Sequence, residues 1–187
     1  MKKILLAFLS VIVIAGGGYS LYYLNQYHIE DNDASIQSNL DTWLNRPNSE
    51  EINPKVLKVE QLEDTTSHII LFQLDNGDYG YARLVKGING KFKMDIAGHG
   101  SGQGTGLNDA SYQVIDTNKG KYLIVYGGNP DLKIDHILAI SQLDEYEYIF
   151  DVSEDKMFIH STKIPTGIEG PFPTRLSFYD NADDEIK

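Results

Sequence analysis

The chain contains no cysteine. That removes disulfides, thiolate zinc sites, a thiol nucleophile and the lipid-attachment cysteine of a bacterial lipoprotein. Positive charge is scarce as well: 16 Lys and Arg stand against 27 Asp and Glu in 187 residues, a net charge of −11. A surface of that sign repels phosphate backbones and anionic headgroups, so nucleic acid and anionic lipid are excluded as partners. It favours cationic partners or divalent ions, although a plainly solvated acidic surface has the same composition. Tryptophan occurs once and proline only six times.

Charge is missing altogether from one stretch. After Met1-Lys2-Lys3 comes an uncharged, mostly apolar run from Ile4 to Leu24. As a helix those 21 residues reach about 30 Å, one hydrocarbon core. Lys2 and Lys3 favour a cytoplasmic N-terminus and an extracytoplasmic remainder. Tyr19, Tyr22, Tyr23 and Tyr27 cluster where such a helix leaves the bilayer. The rival reading is a cleaved signal peptide, with an apolar segment from Ile4 to Ala15 followed by Gly16-Gly17-Gly18 and Ser20. No A-x-A site is present, and apolar character resumes at Leu21-Tyr22-Tyr23-Leu24. Both readings export the domain. Without Lys2 and Lys3 it keeps 14 basic residues against 27 acidic ones, a formal charge of −13.

This divides the chain into a signal anchor or transmembrane helix (1–24), a polar stalk (25–32) and one extracytoplasmic domain (33–187). The domain opens with an amphipathic helix near Asp33 to Leu44. Ile36, Leu40, Trp43 and Leu44 form one apolar stripe, Asp33 or Ser35 is placed to cap the start, and Arg46-Pro47 ends it. Beyond Pro54 the period changes from 3.6 to 2. Phe92, Met94 and Ile96 alternate with Lys91, Lys93 and Asp95; Tyr146, Tyr148 and Phe150 alternate with Glu145, Glu147 and Asp151; Tyr122, Ile124 and Tyr126 share a face. His68 to Leu74 reads as a strand buried on both faces. Further strands are predicted near Val56–Leu62, Tyr79–Lys86, Tyr112–Asp116, Lys133–Ile140, Lys156–Ser161 and Arg175–Tyr179.

Asn76-Gly77 and Asn89-Gly90 are dipeptides that accept φ > 0 and suit hairpins, and Asn118-Lys119-Gly120 makes a longer connection. The expectation is a mainly β domain, an antiparallel meander forming a sandwich or strongly curved sheet. Ile164 to Thr174, with Pro165, Pro171 and Pro173, reads as an exposed loop, and Ala182 to Lys187 as a frayed acidic end.

The most suggestive segment for chemistry is Gly98-His99-Gly100-Ser101-Gly102-Gln103-Gly104-Thr105-Gly106. Five glycines in nine residues could wrap backbone N–H groups around an anion, which makes Gly98, His99, Gly100, Ser101 and Gly102 candidate ligand-binding residues. No helix follows to supply the dipole of a phosphate loop, and Ser101 lacks the flanking glycines of a nucleophile elbow. A flexible connecting loop has the same composition.

The five histidines lie on five segments, none with the spacing of a helical zinc pair. Asp95 with His99, and Asp131-Asp135-His136, bring carboxylates near imidazoles, as a metal or general-base site would require. The acids Asp144, Glu145, Glu147, Asp151, Glu154 and Asp155 alternate as a strand does, so they read as a solvent face rather than a calcium loop. No catalytic residue, metal ligand or cofactor is assigned. The 12 tyrosines are either binding-surface anchors or ordinary strand residues.

The Lys-Lys anchor, the acidic cysteine-free domain and the hairpin text DNGDYGYARLVKGINGKFKMD together resemble small, uncharacterised membrane-anchored extracytoplasmic proteins of Gram-positive bacteria. That resemblance implies a location at the cell envelope and assigns no site residue. The expected function is a non-enzymatic, membrane-tethered binding or regulatory module with an envelope protein as partner. The alternatives are an envelope hydrolase or ligand-binding enzyme built on the Gly98–Gly106 loop, and an immunity-type membrane protein.

Overall fold

The computed structural model describes residues 2–46, 51–99, 110–141 and 146–186. Two helices, α1 (Lys2–Gln26) and α2 (Asp33–Leu44), precede eleven strands: β1 (Lys55–Gln61), β2 (Ser67–Gln73), β3 (Tyr79–Lys86), β4 (Phe92–His99), β5 (Ala110–Thr117), β6 (Gly120–Gly128), β7 (His136–Ser141), β8 (Glu147–Asp151), β9 (Met157–Lys163), β10 (Pro173–Tyr179) and β11 (Glu185–Ile186). The chain is mainly β, and every strand pair among the described residues is antiparallel.

The strands form three sheets: A, in the order β1-β2-β3-β4; B, β5-β6-β9; and C, β11-β10-β7-β8. Local hairpins build most of this, as the turn dipeptides require. The expected mainly β, antiparallel fold is present, with two pairings between strands that are not consecutive: β9 returns to pair with β6 and β10 with β7. Those non-local pairings split sheet B from sheet C.

The layers stack as α2, A, B and C, with a core at each junction. Ile36 and Leu40 of α2 meet Ile70, Phe72, Ala82, Leu84 and Phe92 of sheet A. The other face of A, with Ile69, Leu71 and Tyr81, meets Tyr122, Ile124, Tyr126 and Ile159 of B. The opposite face of B, with Leu123, Val125 and Phe158, meets Ile137, Ala139, Phe150 and Phe178 of C. Strand β6 is therefore buried on both faces, beyond the single Tyr122-Ile124-Tyr126 face expected; its unbroken apolar text from Tyr122 to Tyr126 is what a middle layer needs. Strand β2 is buried on both faces, as its Ile-Ile-Leu-Phe run indicates.

Helix α2 has the bounds its apolar stripe predicts. Its cap is Asn32 rather than Asp33 or Ser35: the Asn32 side chain accepts from the Ser35 N–H at 2.9 Å. Trp43 packs half-buried on sheet A with the Arg46 guanidinium over its ring. Gln37 sews the helix to sheet A, accepting from Val56 N–H and donating to the Pro54 carbonyl. Pro47 lies outside the described residues.

One turn geometry recurs three times. The N–H of Leu74, Gly87 and Asp180 donates to the carbonyl of Asp78, Lys91 and Asp184 respectively, and a tighter bond closes each turn from Gly77, Gly90 and Asp183. The fourth residue takes positive φ, at 93°, 79° and 62°. Only the glycine of each Asn-Gly dipeptide adopts it; Asn76 and Asn89 instead accept from the N–H two residues on. The third copy corrects the expected frayed acidic end. Asp180 accepts from Ala182 and Asp184 N–H, and the chain turns back to pair Phe178 with Ile186.

From Phe8 onward the side chains of α1 are largely exposed, and Phe8–Gln26 is long and apolar enough to cross a membrane. Its last turn and residues 27–32 lie on sheet A. Ile29 is 1% exposed and exchanges two backbone hydrogen bonds with Phe92. Lys91 pairs with Glu30 at 2.5 Å and Lys86 with Asp31 at 3.1 Å. The segment 25–32, polar in sequence, is thereby fixed to the β3–β4 hairpin.

Candidate functional site

Sheet C has one face on the core and one face that no other layer covers among the described residues, although Ser177 on it is 4% exposed. Its side-chain alternation is regular, so three cross-strand rows can be followed over that outer face. The first runs Glu185, Tyr179, His136, Asp151; the second Ser177, Leu138, Ile149; the third Arg175, Ile140, Glu147. Ile149 is 65% exposed, and Leu138 and Ile140 are half-buried beside it. The centre thus carries Leu138 and Ile149, with the His136 and Tyr179 rings in the adjoining row, and the rim carries Asp151, Glu147 and Glu185, the last paired with Arg175 at 3.9 Å.

Several contacts hold this face rigid. The His136 ring stacks on Tyr179 with 4.9 Å between centroids and 7° between planes. Its Nδ1 lies 3.0 Å from the Asp135 carboxylate, which turns the imidazole into a fixed plate with Asp135 at its edge. Asp151 accepts from both the hydroxyl and the N–H of Ser153, at 2.7 and 3.0 Å. Those bonds, with smaller help from the His160 and His136 imidazoles, hold its carboxyl below the usual range.

At the end of the sheet lies an open cleft of about 490 Å³, lined by Leu132, Lys133, Asp135, Ser153, Asp180 and Ile186 among others. Asn129 builds it. The residue is 3% exposed, and its amide donates to the carbonyls of Ile134 and Val152 while accepting from the Ile134 N–H. This pins the β6–β7 connection to the end of β8. Within that connection Leu132 adopts φ 53°, an uncommon conformation for a leucine, and is 44% exposed at the cleft.

The sequence-predicted residues fall elsewhere. Gly98 and His99 end β4 at the edge of sheet A, with His99 exposed opposite Gly80. Gly100, Ser101 and Gly102, like the rest of that loop through Gly106, lie outside the described residues, as do Asp144 and Glu145. The carboxylate of Asp95 is engaged by Arg83 at 3.3 Å, and Arg83 also donates to the buried Ser67 hydroxyl. The Asp135–His136 pairing drawn from the sequence is present, whereas Asp131 pairs with Lys133. Among the described residues no group of three or more His, Asp and Glu side chains is arranged to hold a metal ion.

Three tyrosines act as pins for the proline-rich segment. Tyr112, Tyr146 and Tyr148 donate to the carbonyls of Pro173, Pro171 and Lys163. Burial pushes the Tyr146 hydroxyl up to about 12. Tyr122 donates to Glu63 at 2.6 Å, which raises it likewise to about 12.

The outer face of sheet C had one legible signal in the sequence. Ile149 sits between Glu147 and Asp151 on the side of β8 that alternation assigns to solvent, where a β-branched apolar residue has no core to join. Comparison of the chain with protein-family models, with curated proteins and with solved structures returns no match.

Proposed function

We propose that the chain is a membrane-tethered extracytoplasmic module that docks an envelope protein on the outer face of sheet C and carries out no chemistry of its own. In this reading α1 is the tether, and Lys2 and Lys3 keep its N-terminus in the cytoplasm. The observation that carries the docking is the Leu138–Ile149 row, an uncovered apolar strip in mid-sheet with acids at its rim. A partner segment offering an apolar side chain to Ile149 and Lys or Arg to Glu147, Asp151 and Glu185 fits it in shape and charge. The acidic domain then steers a basic partner towards that face.

The chemistry of the same face supports binding rather than catalysis. Activating a serine requires an imidazole between the hydroxyl and the acid. Here Ser153 donates directly to Asp151, whose depressed pKa makes it a poor base, and the His136 and His160 imidazoles are bonded to Asp135 and Asp155 instead.

The test is affinity capture of the tagged full chain from detergent-solubilised membranes, run in parallel with Ile149→Arg. Ile149 is exposed enough that the substitution leaves folding within about 0.5 kcal/mol. One envelope protein recovered stoichiometrically with the native chain and lost with Ile149→Arg is the expected result. Recovery of none, or recovery undiminished by Ile149→Arg, overturns the reading.

A further inference from the structure

The β3–β4 hairpin carries a residue at odds with its turn. In the three copies of the recurring turn the second position is Asp75, Ile88 and Asn181. Aspartate and asparagine are ordinary there, because the position projects into water. Ile88 is 96% exposed, the most exposed of the large apolar residues described.

This hairpin is also the one that meets α1. The Ile88 N–H donates to the Tyr23 hydroxyl at 2.6 Å, and the Asn89 amide donates to the Tyr27 carbonyl at 3.0 Å. The rings of Tyr23 and Tyr27 stack 4.4 Å apart, and the Lys93 ammonium lies 5.5 Å from the centre of the Tyr27 ring. Gly87 permits the approach: a Cβ there would meet the Tyr23 hydroxyl and come within 2.6 Å of the Tyr27 ring. Tyr23 belongs to the last turn of the apolar helix, so with α1 as the tether the hairpin tip sits beside the end of the span Phe8–Gln26. Tyrosines at such a level match the aromatic belt of a membrane interface.

We propose that the tip of the β3–β4 hairpin is a second membrane contact, with Ile88 inserted into the interfacial region of the leaflet from which α1 emerges. The inference rests on the reading of α1 as a membrane tether. The net charge of the chain speaks against adhesion to anionic lipid, but the local balance differs. Glu30 and Asp31 are each paired with a lysine, Lys93 adds a further cation, and Gly87 to Gly90 carry no acid. The contact is therefore apolar in origin and needs no anionic headgroup. It would seat the domain on the bilayer in a fixed orientation, with α1 as one leg and the hairpin as the other.

The absence of native cysteine makes the test direct. Single-cysteine variants of the full chain, Tyr22→Cys, Ile88→Cys and Asp75→Cys, are labelled with an environment-sensitive fluorophore and reconstituted into phosphatidylcholine vesicles containing shallow doxyl-labelled lipid. The expected result is strong quenching at positions 22 and 88, several-fold above that at 75, and unchanged by 0.5 M salt as an apolar contact requires. Quenching at 22 with none at 88 overturns the hairpin contact and leaves the tether standing. Quenching at neither position overturns both.

Discussion

His68 is where single-residue physics has the clearest consequence. It lies on β2 with its ring edge against Phe92, and its Nδ1 is buried without a hydrogen-bond partner among the described residues. Burial, and then the nearby Lys86 ammonium, lower its pKa below 6.5; Asp31 and the Thr66 backbone act in the opposite sense. The unfolded chain therefore binds this proton more readily than the folded one. The associated stability is fully present above pH 6.5 and is lost as the pH falls from there through the lowered folded value. Thermal melts at pH 7.5 and 5.5 should show a drop for the native chain and a smaller one for His68→Leu; equal drops would contradict the assignment. None of this was readable from the sequence, where His68 is one more residue of an apolar strand. Its unpartnered nitrogen depends on Phe92 and the 29–31 segment arriving from elsewhere.

Elements were far more legible. The stripe Ile36, Leu40, Trp43, Leu44 marks α2, and the alternating runs mark the strands, because burial of one face is a local demand on the text. Connections proved harder where they depend on backbone geometry rather than composition. The acidic segment 180–184 reads as disordered by charge alone. It folds because one carboxylate satisfies two N–H groups and Asp183 accepts a positive φ. Asp180→Ala should thus release β11. Amide exchange at Glu185 and Ile186 should accelerate at least tenfold, with a loss of about 1 kcal/mol of overall stability. Unchanged exchange at those two amides would show that pairing with β10 suffices without the aspartate. The segment 25–32 teaches the same lesson at the other end, since Ile29 pairs with a strand edge while Glu30 and Asp31 take lysine partners on the hairpin.

For the whole molecule, the sequence announces a mainly β domain behind an apolar helix but not its three-sheet stack. The reason lies in β6 and β10. Their partners β9 and β7 are distant in sequence, and no turn signal encodes a pairing made across that distance. The candidate site shares this limit: Leu138 and Ile149 are ordinary strand residues until the register sets them side by side on an uncovered face. The glycine-rich text at 98–106, which drew attention by composition, leads from the edge of a different sheet. What emerges is a stack that carries α2 and the β3–β4 hairpin on sheet A, with the outer face of sheet C at the far side of the described layers. Photocrosslinking in living cells tests that assignment most directly, with a benzophenone side chain placed at position 149 of sheet C or at position 58 on β1 of sheet A. A single discrete adduct from 149 and none from 58 is the predicted result. Adducts from 58 alone, equal adducts from both positions, or none from 149 would contradict it.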